Sequence, residues 1–173
     1  GNIGRLSPEK CQDLFLRAAA EIVPGIPDVS FVLVGIGPDE ERLRRLVGEL
    51  GIGNRVIFAG YRADMQRVYN SLDLVVQSSR TEGMPNVVLE ALLMRVPVVA
   101  TDVGGTAEVI TDGLYGRLIA ANNLHALAAA MREALTNAEL TAGWVSGGEV
   151  HVRTHFDHAV RLRHIMDAYD HIM

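Results

Sequence analysis

The sequence predicts an α/β domain built on a doubly wound parallel sheet, and three observations carry that expectation. Short runs of Val, Ile, Leu and Phe recur along the chain, and a helical stretch follows each of them. The runs are apolar throughout rather than alternating, as in strands covered on both faces. Glycine closes two of these runs, at Gly35 and Gly60, where the chain must turn. Right-handed crossovers between such strands place helices on both faces of one sheet. The 173 residues suit one domain, and 49% hydrophobic content is enough for a real core.

Taken in order, residues 1–6 read as the tail end of a strand. Residues 8–23 follow a helical pattern with Ser7 placed as its N-cap. Residues 31–34 form a buried strand, ended by Gly35-Ile36-Gly37-Pro38. A charged helix covers residues 39–50 and stops at Gly51. Strand 56–59 closes at Gly60, helix 64–71 is short, and strand 74–77 follows. The segment from Thr81 to Asn86 is a loop, and residues 87–94 are an apolar helix. Strand 98–101, a helix at 106–110 opened by Gly104-Gly105, strand 116–119 and helix 124–135 complete the alternation. Residues 139–173 are helical in pattern, divided near residues 154–157. Sheets of this kind bind ligands beyond the carboxyl ends of their strands, so the loops after those strands are where function is expected.

Composition narrows the function. The net charge of −5 argues against a general nucleic-acid binder. Cys11 stands alone, so no internal disulfide can form, which fits a reducing, cytoplasmic setting. No apolar run approaches the length of a membrane span. Basic charge is almost all arginine, and Lys10 is the single lysine. His151, His155 and His158 have a spacing that fits one helix face, but the turn chemistry at 154–157 speaks against a metal site there.

The usual phosphate fingerprints do not fit. The pattern G-x-x-x-x-G-K-[ST] is absent. Gly35-Ile36-Gly37 begins like a dinucleotide fingerprint, but Glu40 stands where its third glycine belongs, and a carboxylate there repels pyrophosphate. Gly35 and Gly37 then serve a tight turn, or leave room for a ligand to pass. The segment Glu82-Gly83-Met84-Pro85-Asn86-Val87-Val88-Leu89-Glu90 is more informative. Gly83 offers a backbone conformation closed to other residues, and Pro85 suits the first turn of a helix. Free N–H groups of Asn86 and Val87, with the positive end of the helix dipole behind them, are expected to form an anion site.

Glu82 and Glu90 bracket that site. Carboxylates beside phosphates repel them, but on the flanks they accept hydrogen bonds from hydroxyls, the layout of a nucleoside-diphosphate sugar. Glu90 fits equally a solvent-facing stripe with Asn86 and Met94. Arg5 and Lys10, directly after the first strand, supply cations for a diphosphate, although an isolated pair of this kind is also ordinary surface charge. No Asp-x-Asp pair is present to hold a metal, so binding is expected to be metal-independent.

Four motifs occur in register: Gly4-Arg5-Leu6-Ser7-Pro8-Glu9-Lys10, Gly35-Ile36-Gly37-Pro38, the segment from Glu82 to Glu90-Ala91, and Pro97-Val98-Val99-Ala100-Thr101-Asp102-Val103-Gly104-Gly105. Together they resemble the C-terminal, donor-binding domain of retaining GT-B glycosyltransferases of the family 4, or group 1, type. The resemblance implies a Rossmann-like fold for residues 1–155 and a last helix, 156–173, that crosses to an N-terminal domain. It implies that Arg5, Lys10 and Glu82 take part in catalysis, with Arg5 and Lys10 on the donor diphosphate and Glu82 on the hydroxyls of the donor sugar. It places Gly37, the backbone from Gly83 through Met84, Pro85 and Asn86 to Val87, and Arg62 beside Tyr61 near the donor, and Glu90 on the ribose. No cofactor or metal is implied; the substrate is a nucleotide sugar such as a UDP- or GDP-hexose. Retention is usually ascribed to a front-face route in which a departing phosphate oxygen helps deprotonate the acceptor.

Two positions depart from the family pattern. Cys11 and Arg95 stand where glycine is usual, and a left-handed residue at 95 costs about 1 kcal/mol relative to glycine. The first strand reads as truncated, and the acceptor site is expected on an N-terminal domain, which leaves room for a membrane-associated acceptor. The domain alone is expected to be inactive. An epimerase of the same fold and a non-catalytic sugar-nucleotide-binding module are the alternatives. A glycosidase using Glu82 and Glu90 leaves the basic pair unexplained.

Overall fold

A computed structural model describes residues 1–156. Strands β1 (Asn2–Ile3), β2 (Phe31–Val34) and β3 (Val56–Gly60) form one parallel sheet, and β4 (Val75–Gln77), β5 (Val98–Thr101) and β6 (Arg117–Ile119) form a second. The two stand side by side. The Val76 N–H donates to the Gly1 carbonyl at 2.8 Å, and Asn2 Nδ2 donates to the Val76 carbonyl at 2.9 Å. Across the molecule the strands therefore run β3-β2-β1-β4-β5-β6. The direction of winding reverses between β1 and β4, which puts the ligand crevice of such a fold at the carboxyl ends of those two strands.

Helices α1 (Gln12–Ile22), α2 (Glu40–Glu49), α3 (Met65–Asn70), α4 (Asn86–Leu93), α5 (Thr106–Val109), α6 (Leu124–Thr136) and α7 (Ala138–His155) connect and follow the strands. Alternate strand residues feed two separate cores. Val76 and Val99 join Phe15, Leu16, Leu43, Leu127, Met131 and Trp144 on the α1 and α6 side. Val75, Val98 and Ala100 join Tyr69, Val88, Leu92, Ile110 and Val152 on the α4 side. That division is why the strand sequences show no polar face. Each fully buried Leu or Phe contributes roughly 1.5–3 kcal/mol relative to exposure. The last two helices are capped by asparagine: Asn123 accepts from the Ala126 N–H at 3.0 Å and Asn137 from the Leu140 N–H at 3.1 Å.

The predicted helix 8–23 is broken. Residues 8–10 make a 3₁₀ turn, Cys11 takes a left-handed conformation (φ 49°), and α1 starts at Gln12. Ser7 does not cap it; its hydroxyl donates instead to Glu9 Oε1 at 2.6 Å. Arg95 is also left-handed, with φ 60°. Its N–H donates to the Leu92 carbonyl and the Val96 N–H to the Ala91 carbonyl, the paired bonds of a Schellman helix end. Both residues that replace the family's glycine thus occupy glycine-favouring backbone. The helix α7 ends at His155 with Phe156 as its C-cap, inside the break expected from sequence. Phe156 packs against the α4-side core; residues 157–173, which include His158 and nearly all of the expected last helix, lie outside the described residues. His151 and His155 stack at 4.6 Å, and no metal-binding group occurs among the described residues. No helix among them is long and apolar enough to cross a membrane.

Candidate functional site

The site forms where the loops after β1 and β4 meet the start of α4. The turn at Lys10 is tied to the end of β4 from several directions. The Ser78 hydroxyl lies 3.0 Å from the Lys10 carbonyl and 2.9 Å from that of Cys11. Asn2 Nδ2 donates to Ser78 Oγ, and the Arg80 N–H donates to the Glu9 carbonyl at 2.8 Å. The left-handed Cys11 directs the chain from this turn into α1. Lys10 is thereby fixed at its backbone, and its side chain crosses to Glu82.

Lys10 Nζ donates to both carboxylate oxygens of Glu82, at 2.7 and 2.9 Å, and Ser79 Oγ donates to Oε1 at 2.6 Å. The Glu82 side chain is 11% exposed and that of Lys10 30%. The segment carrying Glu82 rests on the Gly104-Gly105 pair. The Gly105 N–H donates to the Gly83 carbonyl at 2.9 Å, and a Cβ on Gly104 (φ 54°) would overlap the Glu82 backbone. The strict need for glycine therefore lies at 104. Gly83, expected to take a conformation closed to other residues, lies outside the left-handed region and has open space around it.

The start of α4 also differs in detail from expectation. Pro85 is the N-cap (φ −80°, ψ 86°) rather than a first-turn residue, and its carbonyl accepts from Val88 and Leu89. The Asn86 N–H turns back to the Met84 carbonyl at 3.0 Å, so it is not free. The Val87 N–H has no partner among the described residues and lies in the first turn of α4, at the positive end of its dipole. A small cavity of about 160 Å³ is lined by Lys10, Ser79, Glu82, Met84, Pro85, Asn86 and Val87.

A second, wider cavity of about 680 Å³ adjoins it and shares Ile3 and Gly4 with it. Arg5 and Glu90 line this one, with Gly37, Tyr61 and Arg62. Lys10 and Arg5 thus face neighbouring cavities rather than one point. Arg5 is exposed and makes no side-chain hydrogen bond or ion pair among the described residues. Arg62 is held by Asp64 through two bonds of 2.8 and 2.6 Å, so its guanidinium is already engaged. Tyr61, 74% exposed, leaves a ring face open to a planar ligand. Gly35 and Gly37 have their reason in the chain itself: a Cβ on either would overlap the backbone of Gly4 or Leu6, which passes directly over them. A further cavity of about 760 Å³ lies at the opposite ends of the strands, near Leu74 and Pro97, away from all these residues.

Sequence reasoning missed Ser79, Gln77 and Tyr69. Gln77 Oε1 accepts from the Thr101 N–H and hydroxyl, which ties the ends of β4 and β5 together. Tyr69 donates to Glu90 Oε2 at 2.7 Å. Ser79, three residues before Glu82 in the same loop, had a local signal; a tyrosine in the short helix α3 had none.

A parallel sheet in this strand order, with a lysine–glutamate pair and a helix start at its switch point, matches the C-terminal half of GT-B glycosyltransferases. The family "Glycosyl transferases group 1" matches residues 1–137, and the chain belongs to it. It is 32% identical over 180 residues to the lipopolysaccharide core biosynthesis mannosyltransferase LpsB of Rhizobium meliloti, covering 100% of this chain and 51% of that one. It is 41% identical over 125 residues to a D-inositol 3-phosphate glycosyltransferase of Mycobacterium sp. (strain KMS), covering 68% of this chain and 27% of that one. The chain thus spans about half the length of the first of these curated relatives and about a quarter of the second. Among solved structures, Anabaena Alr3699/HepE in complex with UDP superimposes with a TM-score of 0.91 at 30% identity, covering 98% of this chain and 48% of that one. The C-terminal domain of a group 1 glycosyltransferase, LpcC from Francisella tularensis, superimposes with a TM-score of 0.82 at 27% identity over 91% of this chain and 85% of that one.

Proposed function

We propose that the chain binds a nucleoside-diphosphate sugar as the donor domain of a retaining glycosyltransferase that moves a hexosyl group to an acceptor hydroxyl. The acceptor site and full activity then need an N-terminal domain. One observation carries this reading: Lys10, Glu82 and the start of α4 surround a single cavity. In the free domain Lys10 and Glu82 neutralise each other. When donor binds, the diphosphate replaces Glu82 as the partner of Lys10, and sugar hydroxyls replace Lys10 as donors to Glu82. Both charges stay compensated in both states. The Val87 N–H and the α4 dipole add to Lys10 at the leaving diphosphate, and Arg5 supplies a second cation from the adjoining cavity. As the glycosidic bond breaks, negative charge grows on that diphosphate, and fixed donors placed there lower the barrier without reorganising. Glu90 takes the ribose and Tyr61 lies beside the base. HepE was solved with UDP and with UDP-glucose, which supports a nucleotide sugar as ligand of this chain's cavities too.

The test is calorimetric titration of the 173-residue chain with UDP, GDP and ADP in the presence of EDTA. Binding of one of them is expected at high-micromolar to millimolar strength, unchanged by added magnesium. Lys10→Ala should weaken it by about 1.5–3 kcal/mol, the scale of a charge-assisted hydrogen bond. Unchanged affinity in that variant removes the diphosphate assignment.

A further inference from the structure

Tyr69 lies outside the motifs, and the donor-binding reading makes no use of it. It sits on α3 within the α4-side core, 2% exposed. Its ring packs in that core, and its hydroxyl reaches α4. The hydroxyl donates to Glu90 Oε2 at 2.7 Å and lies 3.5 Å from the Val87 carbonyl one turn earlier on α4. A phenol has one hydrogen to give, and the shorter contact to a charged acceptor takes it. Glu90 itself is exposed, and its Oε1 has no partner among the described residues. Glu90 lines the 680 Å³ cavity together with Arg5, Gly37 and Tyr61.

An exposed glutamate on a helix surface samples many rotamers, and a ligand that uses it must first order it. Here one of its two oxygens is already tied to a group that cannot move. The geometry points to Tyr69 as a positioning residue: its buried hydroxyl fixes Glu90 Oε2 so that Oε1 is presented to the cavity as an acceptor for a ribose hydroxyl of the bound nucleotide. This rests on the assignment of Glu90 to the ribose. Burial, and then the bond to Glu90, push the Tyr69 phenol up from its ordinary value, so it remains a donor wherever the domain is folded. A phenylalanine would fill the same space in the core, so the hydroxyl is separable from the packing of the ring.

The experiment compares the 173-residue chain with Tyr69→Phe, Glu90→Ala and the double variant. The ligands are UDP, 2′-deoxy-UDP, 3′-deoxy-UDP and inorganic pyrophosphate, or the guanosine set where GDP binds more tightly. The wild type is expected to prefer the ribonucleotide. Tyr69→Phe should lose about three- to tenfold in affinity for UDP, with no loss for the deoxy analogue that lacks the contacted hydroxyl and none for pyrophosphate. In the Glu90→Ala background the same substitution should change nothing, because the two residues act as one unit. Equal weakening of all four ligands would show a role in packing alone and overturn the proposal, as would a Tyr69→Phe variant with undiminished ribose preference. If the wild type binds UDP but ignores both ribose hydroxyls, the Glu90 assignment fails and the positioning role with it. If the wild type binds no nucleotide, the donor-binding reading itself falls.

Discussion

If a phosphate takes Lys10 from Glu82 as proposed, the two compete for it in the free domain, and this competition has a measurable size. Replacing Glu82 with glutamine keeps the shape of the side chain and its bond from Ser79, but removes the charge that Lys10 now faces at 2.7 and 2.9 Å. Two terms favour anion binding in the variant. The ion pair no longer has to be given up; with Lys10 30% exposed, such a pair is worth about 0.2–1 kcal/mol. The repulsion between Glu82 and the anion also disappears. At an effective dielectric constant near 20, two unit charges ~8 Å apart interact by about 2 kcal/mol, and screening by solvent and salt reduces that to roughly half. The loss of the strong charged partner by Ser79 offsets part of this. A net gain of about 1 kcal/mol, about fivefold, is expected for UDP. The nucleotide without its sugar is the right probe, because a sugar-bearing donor would also lose its acceptor at residue 82. Calorimetry at low and high salt reads the effect, which should shrink as ionic strength rises. The donor sugar should show the reverse: the ratio of UDP-sugar to UDP affinity falls in the variant. If Glu82→Gln leaves UDP affinity unchanged or weaker at low salt, the exchange of partners at Lys10 is wrong.

Three further outcomes follow from the backbone and from one histidine. Arg95→Gly should be more stable than Arg95→Ala by about 1 kcal/mol in chemical denaturation, since both lose the exposed pair with Glu149 but only glycine relieves the left-handed backbone; equal stabilities would refute the argument. Gly104→Ala should displace the Glu82 segment and cost at least ~1 kcal/mol of stability, with preference for sugar-bearing over bare nucleotide falling further than in any surface variant. His151, stacked on Tyr115 at 4.5 Å, is held below the ordinary histidine value by burial, with His155 adding to the effect. Below that ordinary value the unfolded chain therefore binds more protons than the folded one, so stability should rise with pH through the slightly acidic range and level off above it; a His151→Gln variant with the same slope would assign the effect elsewhere.

The alternation of strands and helices was legible because the central strands, β4 and β5, are buried at every position, so their sequences are nearly continuous apolar runs. Helix ends were legible where glycine marks them, as at Gly51 (φ 69°). The break at Cys11 was not, because cysteine carries no signal for a left-handed turn, and what holds that turn is Ser78 from across the sheet. Lys10 and Glu82 could be singled out as chemistry-bearing residues, but not paired, since 72 positions separate them. The split of Arg5 and Lys10 between two cavities is equally a tertiary fact. Tyr69 was invisible for a different reason: its ring satisfies a core pattern, and only coordinates show that its hydroxyl emerges beside Glu90.

Two kinds of glycine occur in the loops of the site, and the distinction bears on how the site is kept in shape. Those at 35, 37 and 104 are places where one loop's backbone lies against another's, and no side chain fits between them. Gly83, in the loop that carries Glu82, has empty space around it and a backbone outside the left-handed region. The Glu82 loop is therefore shaped from below, by Gly104 and Gly105, and from beside, by Ser79 and Lys10, rather than by its own torsions. The same is true of the Lys10 turn, which is held by Ser78, Asn2 and the Arg80 N–H. Much of each loop's support comes from the segment beside it: Ser78 and Arg80 for the Lys10 turn, Gly104 and Gly105 for the Glu82 loop. A site of this kind keeps its geometry when residues within the loops change, and loses it when the neighbour does. That asymmetry accounts for how Cys11 can stand where glycine is usual and still leave Lys10 facing the start of α4.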